Sequence, residues 1–221
     1  MSHQLHLFDE MPQGTTSCWI EKIAPETTLL HHFASAHATQ LLAAVEPIIQ
    51  HAPFRHMTTP GGFCMSVAMT SCGEVGWISD IKGYRYSPVD PQTGQPWLPI
   101  PPLLAQLAHE AAAESGFLNF TPDTCLINRY EPDNKLSLHQ DKDEGDFDAP
   151  IVSVSLGVPA VFLWGGNQRT DTITRIPLLH GDVIVWGGVD RLRFHGIMPI
   201  KTSYHALTGT CRINLTFRKA F

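Results

Sequence analysis

The sequence has little to offer a disulfide framework or a cysteine metal site. Its five cysteines, Cys18, Cys64, Cys72, Cys125 and Cys211, are odd in number, scattered and free of any CxxC pair, so reduced, mostly buried thiols are expected. No run of eighteen apolar residues occurs, and the opening MSHQLHLFDE lacks the basic and apolar regions of a secretory leader. These absences lead to the expectation of a cytoplasmic protein with no membrane segment. Charge is sparse at 16% of residues, and a net of −6 gives no argument for a nucleic-acid partner from the whole chain. Internal repeats and low-complexity tracts are also missing. What is present is 221 residues, 43% of them hydrophobic, enough to bury one sizeable core, and a single domain over 1–221 is expected.

The charge is unevenly spread. Residues 1–168 carry 7 basic and 18 acidic side chains, whereas 169–221 carry 8 and 3. The C-terminal quarter is therefore a candidate basic face for an anionic ligand, beside the plainer reading of an uneven solvated surface.

Residues 1–16 read as a loose tail, 17–100 as an N-terminal extension, and 101–221 as a helix followed by a sheet core. A helix is expected from Glu26 to Gln50, because Leu30, Phe33, His37, Leu41, Val45 and Ile48 share one stripe and Thr27 or Thr28 can cap it. Pro47 is expected to kink or restart its last turn. A second helix runs from Pro102 to Ser115, with Pro at its start and Gly116 past its end. The segments FCMSVAMT, TCLINRY, KLSLH, PIVSVSLG, AVFLWGG, DVIVWGG and CRINLTFR read as short strands between Gly and Pro clusters. Together they give a mainly β fold with flanking helices, an antiparallel, jelly-roll-like double sheet braced on one face.

The strand KLSLH runs into acid as LSLHQDKDEGDFD. Side chains two apart on a strand share a face, so Leu136 and Leu138 point one way while Ser137, His139 and, if the strand persists, Asp141 point the other. His139 and Asp141 can thus converge on one cation. The spacing is a weak signal alone, because the chain holds a second His-x-Asp, His180-Gly181-Asp182. There, a glycine and the apolar run VIVW fit a turn feeding a buried strand, with Asp182 bonding the turn backbone. A 2-His-1-carboxylate Fe(II) site needs one more histidine, and His195 in RLRFHGIMP, on a short strand beside a glycine, is the choice. Zinc with the same ligands is a rival. Calcium is disfavoured, since the run lacks the twelve-residue loop spacing.

In RINLTFR, Arg212, Asn214, Thr216 and Arg218 alternate with Ile213, Leu215 and Phe217. The polar face is either solvent, as on an edge strand, or a cavity. A guanidinium binds carboxylate bidentately, so a cavity of this kind suits a dicarboxylate such as 2-oxoglutarate, with Asn128 and Tyr130 of LINRY as further donors.

LINRY, LSLHQDKDE, PIVSVSLG, HGDVIVWGG, RLRFHGI and CRINLTFR together resemble the AlkB family of Fe(II)/2-oxoglutarate dioxygenases, and the similarity extends through TPGGFCMSVAMTSCGEVGW and GYRYSPVDPQTGQPW, from about Pro53 to Arg218. The resemblance implies a double-stranded β-helix with an N-terminal nucleotide-recognition lid, here Phe63 to Trp97. It implies Fe(II), 2-oxoglutarate and O2 as cofactor and cosubstrates, with iron on His139, Asp141 and His195. Arg212 and Arg218 would hold the cosubstrate carboxylates, assisted by Asn128, Tyr130 and Asn214. Met69, Trp77, Tyr84, Asp143 and Arg169 would contact substrate, while Phe63, Trp97 and Tyr86 also fit as core fillers, and Lys142 and Glu144 read as solvated rim. The implied activity is DNA repair by oxidative demethylation of N-alkylated bases in single-stranded DNA, with RNA a second substrate, by a protein for which monomer is the simplest expectation. A hydroxylase of a protein or small metabolite shares the triad and the arginines. A nucleic-acid-binding β-domain with structural histidines is the third reading.

Overall fold

The computed structural model describes residues 17–221; the expected tail, 1–16, lies outside the described residues. The chain begins with strands β1 (Trp19–Ala24) and β2 (Thr27–His31), then a single 3₁₀ turn, Ser35–His37, and helix α1 (Ala38–His51). Strands β3 (Arg55–Thr58), β4 (Cys64–Gly73), β5 (Gly76–Asp80) and β6 (Gly83–Ser87) lead to helix α2 (Pro102–Glu114). The remainder is β7 (Thr124–Tyr130), β8 (Leu136–His139), β9 (Ile151–Gly157), β10 (Ala160–Trp164), β11 (Thr174–Leu178), β12 (Val183–Trp186), β13 (His195–Ile197) and β14 (Arg212–Arg218).

Every pairing among these strands is antiparallel. Eight form one sheet in the order β1-β2-β12-β9-β14-β7-β4-β3, four form a second in the order β11-β10-β13-β8, and β5 and β6 make a separate hairpin. Alternation then sorts the core into two layers. Ile213, Leu215 and Phe217 of β14 join Val152, Val154 and Leu156 of β9 against Leu41, Val45 and Ile48 of α1 and Leu104, Leu107 and Ala111 of α2. Each such buried aliphatic contributes roughly 1.5–3 kcal/mol. Residues of the opposite parity, such as Ile151, Ile184 and Trp186, meet Phe162, Trp164, Ile176 and Ile197 of the small sheet in a second core. The polar face of β14 looks into this space between the sheets. This is the double sheet with helices behind one face that the alternation implied.

The first helix differs from expectation. Its stripe was continued backward through Leu30, but 27–31 is a strand buried on both faces, hydrogen-bonded between β1 and β12. Thr27 and Thr28 therefore cap nothing; Thr27 Oγ1 donates to Asp190 Oδ2 at 3.0 Å. Helix α1 starts at Ala38 and runs unbroken through Pro47. Helix α2 matches its predicted span to within a residue, and Gly116 follows it at φ +97°, a left-handed turn that an L side chain rarely adopts.

Candidate functional site

His139 ends β8 and His195 begins β13, and the two are register partners across the small sheet. Strict alternation would put Leu136 and His139 on opposite faces. A bulge intervenes: three steps along β8, from Leu136 to His139, oppose two along β13, from Ile197 to His195. Leu136 thereby packs into the inter-sheet core while His139 also turns inward. The bulged backbone presses on Gly196, where an added Cβ would sit 2.6 Å from the Leu136 carbonyl oxygen. Gly196→Ala is accordingly expected to part the two histidine strands and weaken metal binding about tenfold or more, read by titrating the protein with Fe(II) without oxygen; unchanged affinity would mean that the bulge relaxes elsewhere.

Asp141 lies between the rings. Its Oδ1 is 3.5 Å from His139 Nε2 and its Oδ2 3.7 Å from His195 Nε2, and the three ligand atoms lie within 4.8 Å of one another. Both imidazoles are set the same way: His139 Nδ1 bonds the Ser137 carbonyl at 2.9 Å and His195 Nδ1 the Arg193 carbonyl at 3.0 Å. A carbonyl only accepts, so each Nδ1 carries a proton and each Nε2 is the nitrogen turned toward the carboxylate. Burial first, and His139 second, lower His195 to about 3, leaving a neutral ring ready to ligate. Burial acts to raise the Asp141 carboxyl, but Arg218 and the two histidines outweigh it and hold it well below 3.8.

Strand β14 is central, between β9 and β7, which removes the edge-strand alternative; Arg212 and Arg218 are only 1% and 6% exposed. Arg218 donates to Asp141 Oδ2 from both Nε, at 3.0 Å, and Nη2, at 2.7 Å. Arg212 lies over the Tyr130 ring, 5.0 Å from its centroid, and donates from Nη2 to Ser155 Oγ at 2.9 Å. Its Nε and Nη1 find no hydrogen-bond partner. Asn214 Nδ2 donates to Ser153 Oγ and the Val154 carbonyl, and Asn128 Nδ2 donates to Asn214 Oδ1 at 3.2 Å. The five residues expected to hold 2-oxoglutarate thus share one buried polar patch.

Several residues escaped the sequence reading. Ser153 and Ser155 were legible as the polar parity of IVSVSLG. Glu144, expected on the solvated rim, is 6% exposed; its carboxylate meets Arg191 Nη2 at 3.2 Å and Arg218 Nε at 3.4 Å. Arg191 also donates to the Asp141 carbonyl at 2.8 Å and the Ala149 carbonyl at 3.2 Å, pinning the loop. Arg191 lies 42 to 50 residues from these partners, and Arg218 lies further still from Glu144, so no local pattern marks them. The basic face also changes meaning. Three of the eight cations of 169–221, Arg191, Arg212 and Arg218, are buried.

Residues 26–218 match the 2OG-Fe(II) oxygenase superfamily. The alpha-ketoglutarate-dependent dioxygenase AlkB of Escherichia coli is 54% identical over 202 residues, 91% of this chain and 94% of that one. The chain belongs to the AlkB family. The human nucleic acid dioxygenase ALKBH1 is 33% identical over 122 residues, 55% of this chain and 31% of its own. The solved structure of OsALKBH1 superposes with a TM-score of 0.79 at 30% identity, covering 91% of this chain and all of that one. As an AlkB-family member the protein is an Fe(II)- and 2-oxoglutarate-dependent dioxygenase that uses O2, and its core is the double-stranded β-helix. The residues present fit both groups. Two imidazole nitrogens and a carboxylate form a three-ligand set suited to a hard-to-borderline metal, and the orphaned Arg212 nitrogens want a buried carboxylate.

Of the residues expected to touch substrate, Trp77 and Asp143 meet directly: Trp77 Nε1 donates to Asp143 Oδ2 at 2.9 Å. Tyr84 stacks on Trp77 with centroids 5.5 Å apart. Met69 is 2% exposed, packed in the inter-sheet core opposite Asn128. Arg169 is exposed, its guanidinium 5.1 Å from the centroid of Phe194, the neighbour of His195. Phe63, a candidate core filler, is 76% exposed, whereas Trp97 is buried and donates to the Ser87 carbonyl. In the second His-x-Asp, Asp182 bonds the backbone, accepting from the N–H groups of His32 and Leu179.

Proposed function

We propose that the protein repairs DNA by oxidative demethylation of N-alkylated bases, of the 1-methyladenine and 3-methylcytosine type, in single-stranded DNA and in RNA. The observation that carries this reading is the stacked Trp77/Tyr84 pair whose Trp77 is hydrogen-bonded to Asp143, two residues from Asp141. The human relative ALKBH1 is a nucleic acid dioxygenase. His139, Asp141 and His195 would hold the iron. Arg212, with Tyr130, Asn128 and Asn214, would hold one carboxylate of 2-oxoglutarate, and Arg218 would hold the other. When bound, Fe(II), 2-oxoglutarate and O2 supply the oxidation, turning the cosubstrate into succinate and CO2 and the N-methyl carbon into formaldehyde.

The chain's own part is positioning. Trp77 and Tyr84 offer aromatic faces for a base taken out of its stack, and extrusion costs least from single strands or from bases whose pairing edge carries a methyl group. The Asp143 carboxylate favours a methylated, positively charged ring. Met69 lines the pocket, and Arg169 meets the backbone at its rim. Residues 17–100 carry the lid, while their strands β1 to β4 also join the large sheet, and 101–221 carry the helix and catalytic core of one domain, acting as a cytoplasmic monomer. Among the described residues, no helix is long and apolar enough to cross a membrane.

Incubation with Fe(II), 2-oxoglutarate, oxygen and a methylated single-stranded oligonucleotide is expected to release formaldehyde and remove the methyl mass, with Asp141→Ala inactive. Succinate formation without any change in oligonucleotides would move the substrate to a protein or metabolite.

A further inference from the structure

Trp77 and Tyr86 are directly opposed residues of the β5–β6 hairpin, and both reach the loop that follows β8. Trp77 bonds Asp143, and the Tyr86 hydroxyl donates to Glu144 Oε1 at 2.6 Å. The two acceptors are adjacent in sequence but lead in different directions. Asp143 is exposed. Glu144 leads inward, to Arg191 and to Arg218, which itself grips Asp141. One rung of the hairpin is therefore two contacts from the arginine beside the candidate metal ligands. Burial pushes the Tyr86 phenol well up, so it remains a donor throughout the working pH range.

The two ties differ in what competes for them. A cationic base that takes the Asp143 carboxylate takes it from Trp77. Among the described residues, Tyr86 to Glu144 is then the side-chain hydrogen bond that still joins this hairpin to the loop. We propose that Tyr86 and Glu144 are positioning residues that couple the two binding events: Arg218, engaged by a cosubstrate carboxylate, fixes Glu144, and Glu144 fixes the hairpin over the nucleotide. The inference rests on the reading above, which gives Arg218 to 2-oxoglutarate and the hairpin to the nucleic acid. Coupling of this kind is reciprocal, so each ligand tightens the other by the same factor.

Tyr86→Phe isolates the effect. It deletes one hydroxyl and keeps the ring that meets Phe221 edge-on with centroids 6.3 Å apart. The affinity for 2-oxoglutarate is measured with Fe(II) under nitrogen, with and without a methylated single-stranded oligonucleotide, and hydrogen exchange is followed over 76–87. The wild type is expected to bind 2-oxoglutarate about tenfold more tightly when the oligonucleotide is present. Cosubstrate alone should also slow exchange in the hairpin. In Tyr86→Phe the affinity without oligonucleotide should stay within about twofold, while the tightening and the protection both disappear. A variant that keeps both, or one that loses 2-oxoglutarate affinity equally with and without the oligonucleotide, overturns the latch and leaves the demethylase reading standing. A wild type that binds 2-oxoglutarate but no oligonucleotide overturns the two together.

Discussion

Arg212→Met is expected to raise the KM for 2-oxoglutarate by on the order of 100-fold, leave Fe(II) affinity within a few-fold, and raise the melting temperature of the cofactor-free protein. The three effects have one cause. Arg212 is almost wholly buried, yet only Nη2 has a hydrogen-bond partner, the neutral Ser155 hydroxyl. Burial lowers its pKa, the mark of a cation held where solvent would serve it better. A buried charge without a counter-ion costs several kcal/mol, and a carboxylate ligand removes that cost by occupying Nε and Nη1. Methionine keeps much of the stem volume over the Tyr130 ring and removes the charge, so the empty protein gains stability while the cosubstrate loses its anchor. Arg218→Met should behave differently, because its guanidinium also holds Asp141; the KM for 2-oxoglutarate and the Fe(II) requirement rise together. Steady-state kinetics, anaerobic Fe(II) titration and thermal melting check the set. An Arg212→Met protein that melts lower, with an unchanged KM, would show that Arg212 is a structural cation.

The contrast between the two arginines shows what strand parity can and cannot reveal. Alternation in RINLTFR correctly separated Arg212, Asn214, Thr216 and Arg218 from the three apolar residues packed on the helices, because both layers of a double sheet are filled by parity. It left solvent and cavity equally open, since whether a strand is central depends on neighbours 60 and 85 residues away. The same limit explains 27–31. Strand β2 is covered on both faces, so it carries no period of two, and its pairing with β12 about 150 residues later has no local trace. The His139 strand fails in a subtler way. Its parity argument needed the strand to persist to Asp141, but the strand stops at His139 and the loop delivers Asp141; it also put Leu136 on the far side, and only the bulge over Gly196 lets Leu136 and His139 both turn inward. The glycine beside His195 was the visible sign of that close approach. Glu144 and Arg191 were invisible because long polar side chains on a polar loop look solvated until the fold brings their partners in.

Asp141→Ala is expected to abolish turnover and also to destabilise the metal-free protein by about 3 kcal/mol, whereas Asp141→Ala combined with Arg218→Met should recover most of that stability and none of the activity. The carboxylate occupies the centre of the site even without metal. It takes two donors from Arg218 and lies within 3.7 Å of both Nε2 atoms. Removing it strands the Arg218 guanidinium, which its acidic surroundings otherwise hold strongly protonated against the cost of burial. Glu144, at 3.4 Å, tempers the loss and places the estimate at the low end for a broken buried pair. Replacing the arginine as well exchanges an unpaired charge for an apolar stem of similar length, which a buried site tolerates, but the iron still lacks its carboxylate ligand. Urea unfolding of the wild type, both single variants and the double variant, without metal, gives the coupling energy, and formaldehyde release gives activity. If the double variant were no more stable than Asp141→Ala, Glu144 would be the residue that holds Arg218, and Asp141 would be free to serve the metal alone.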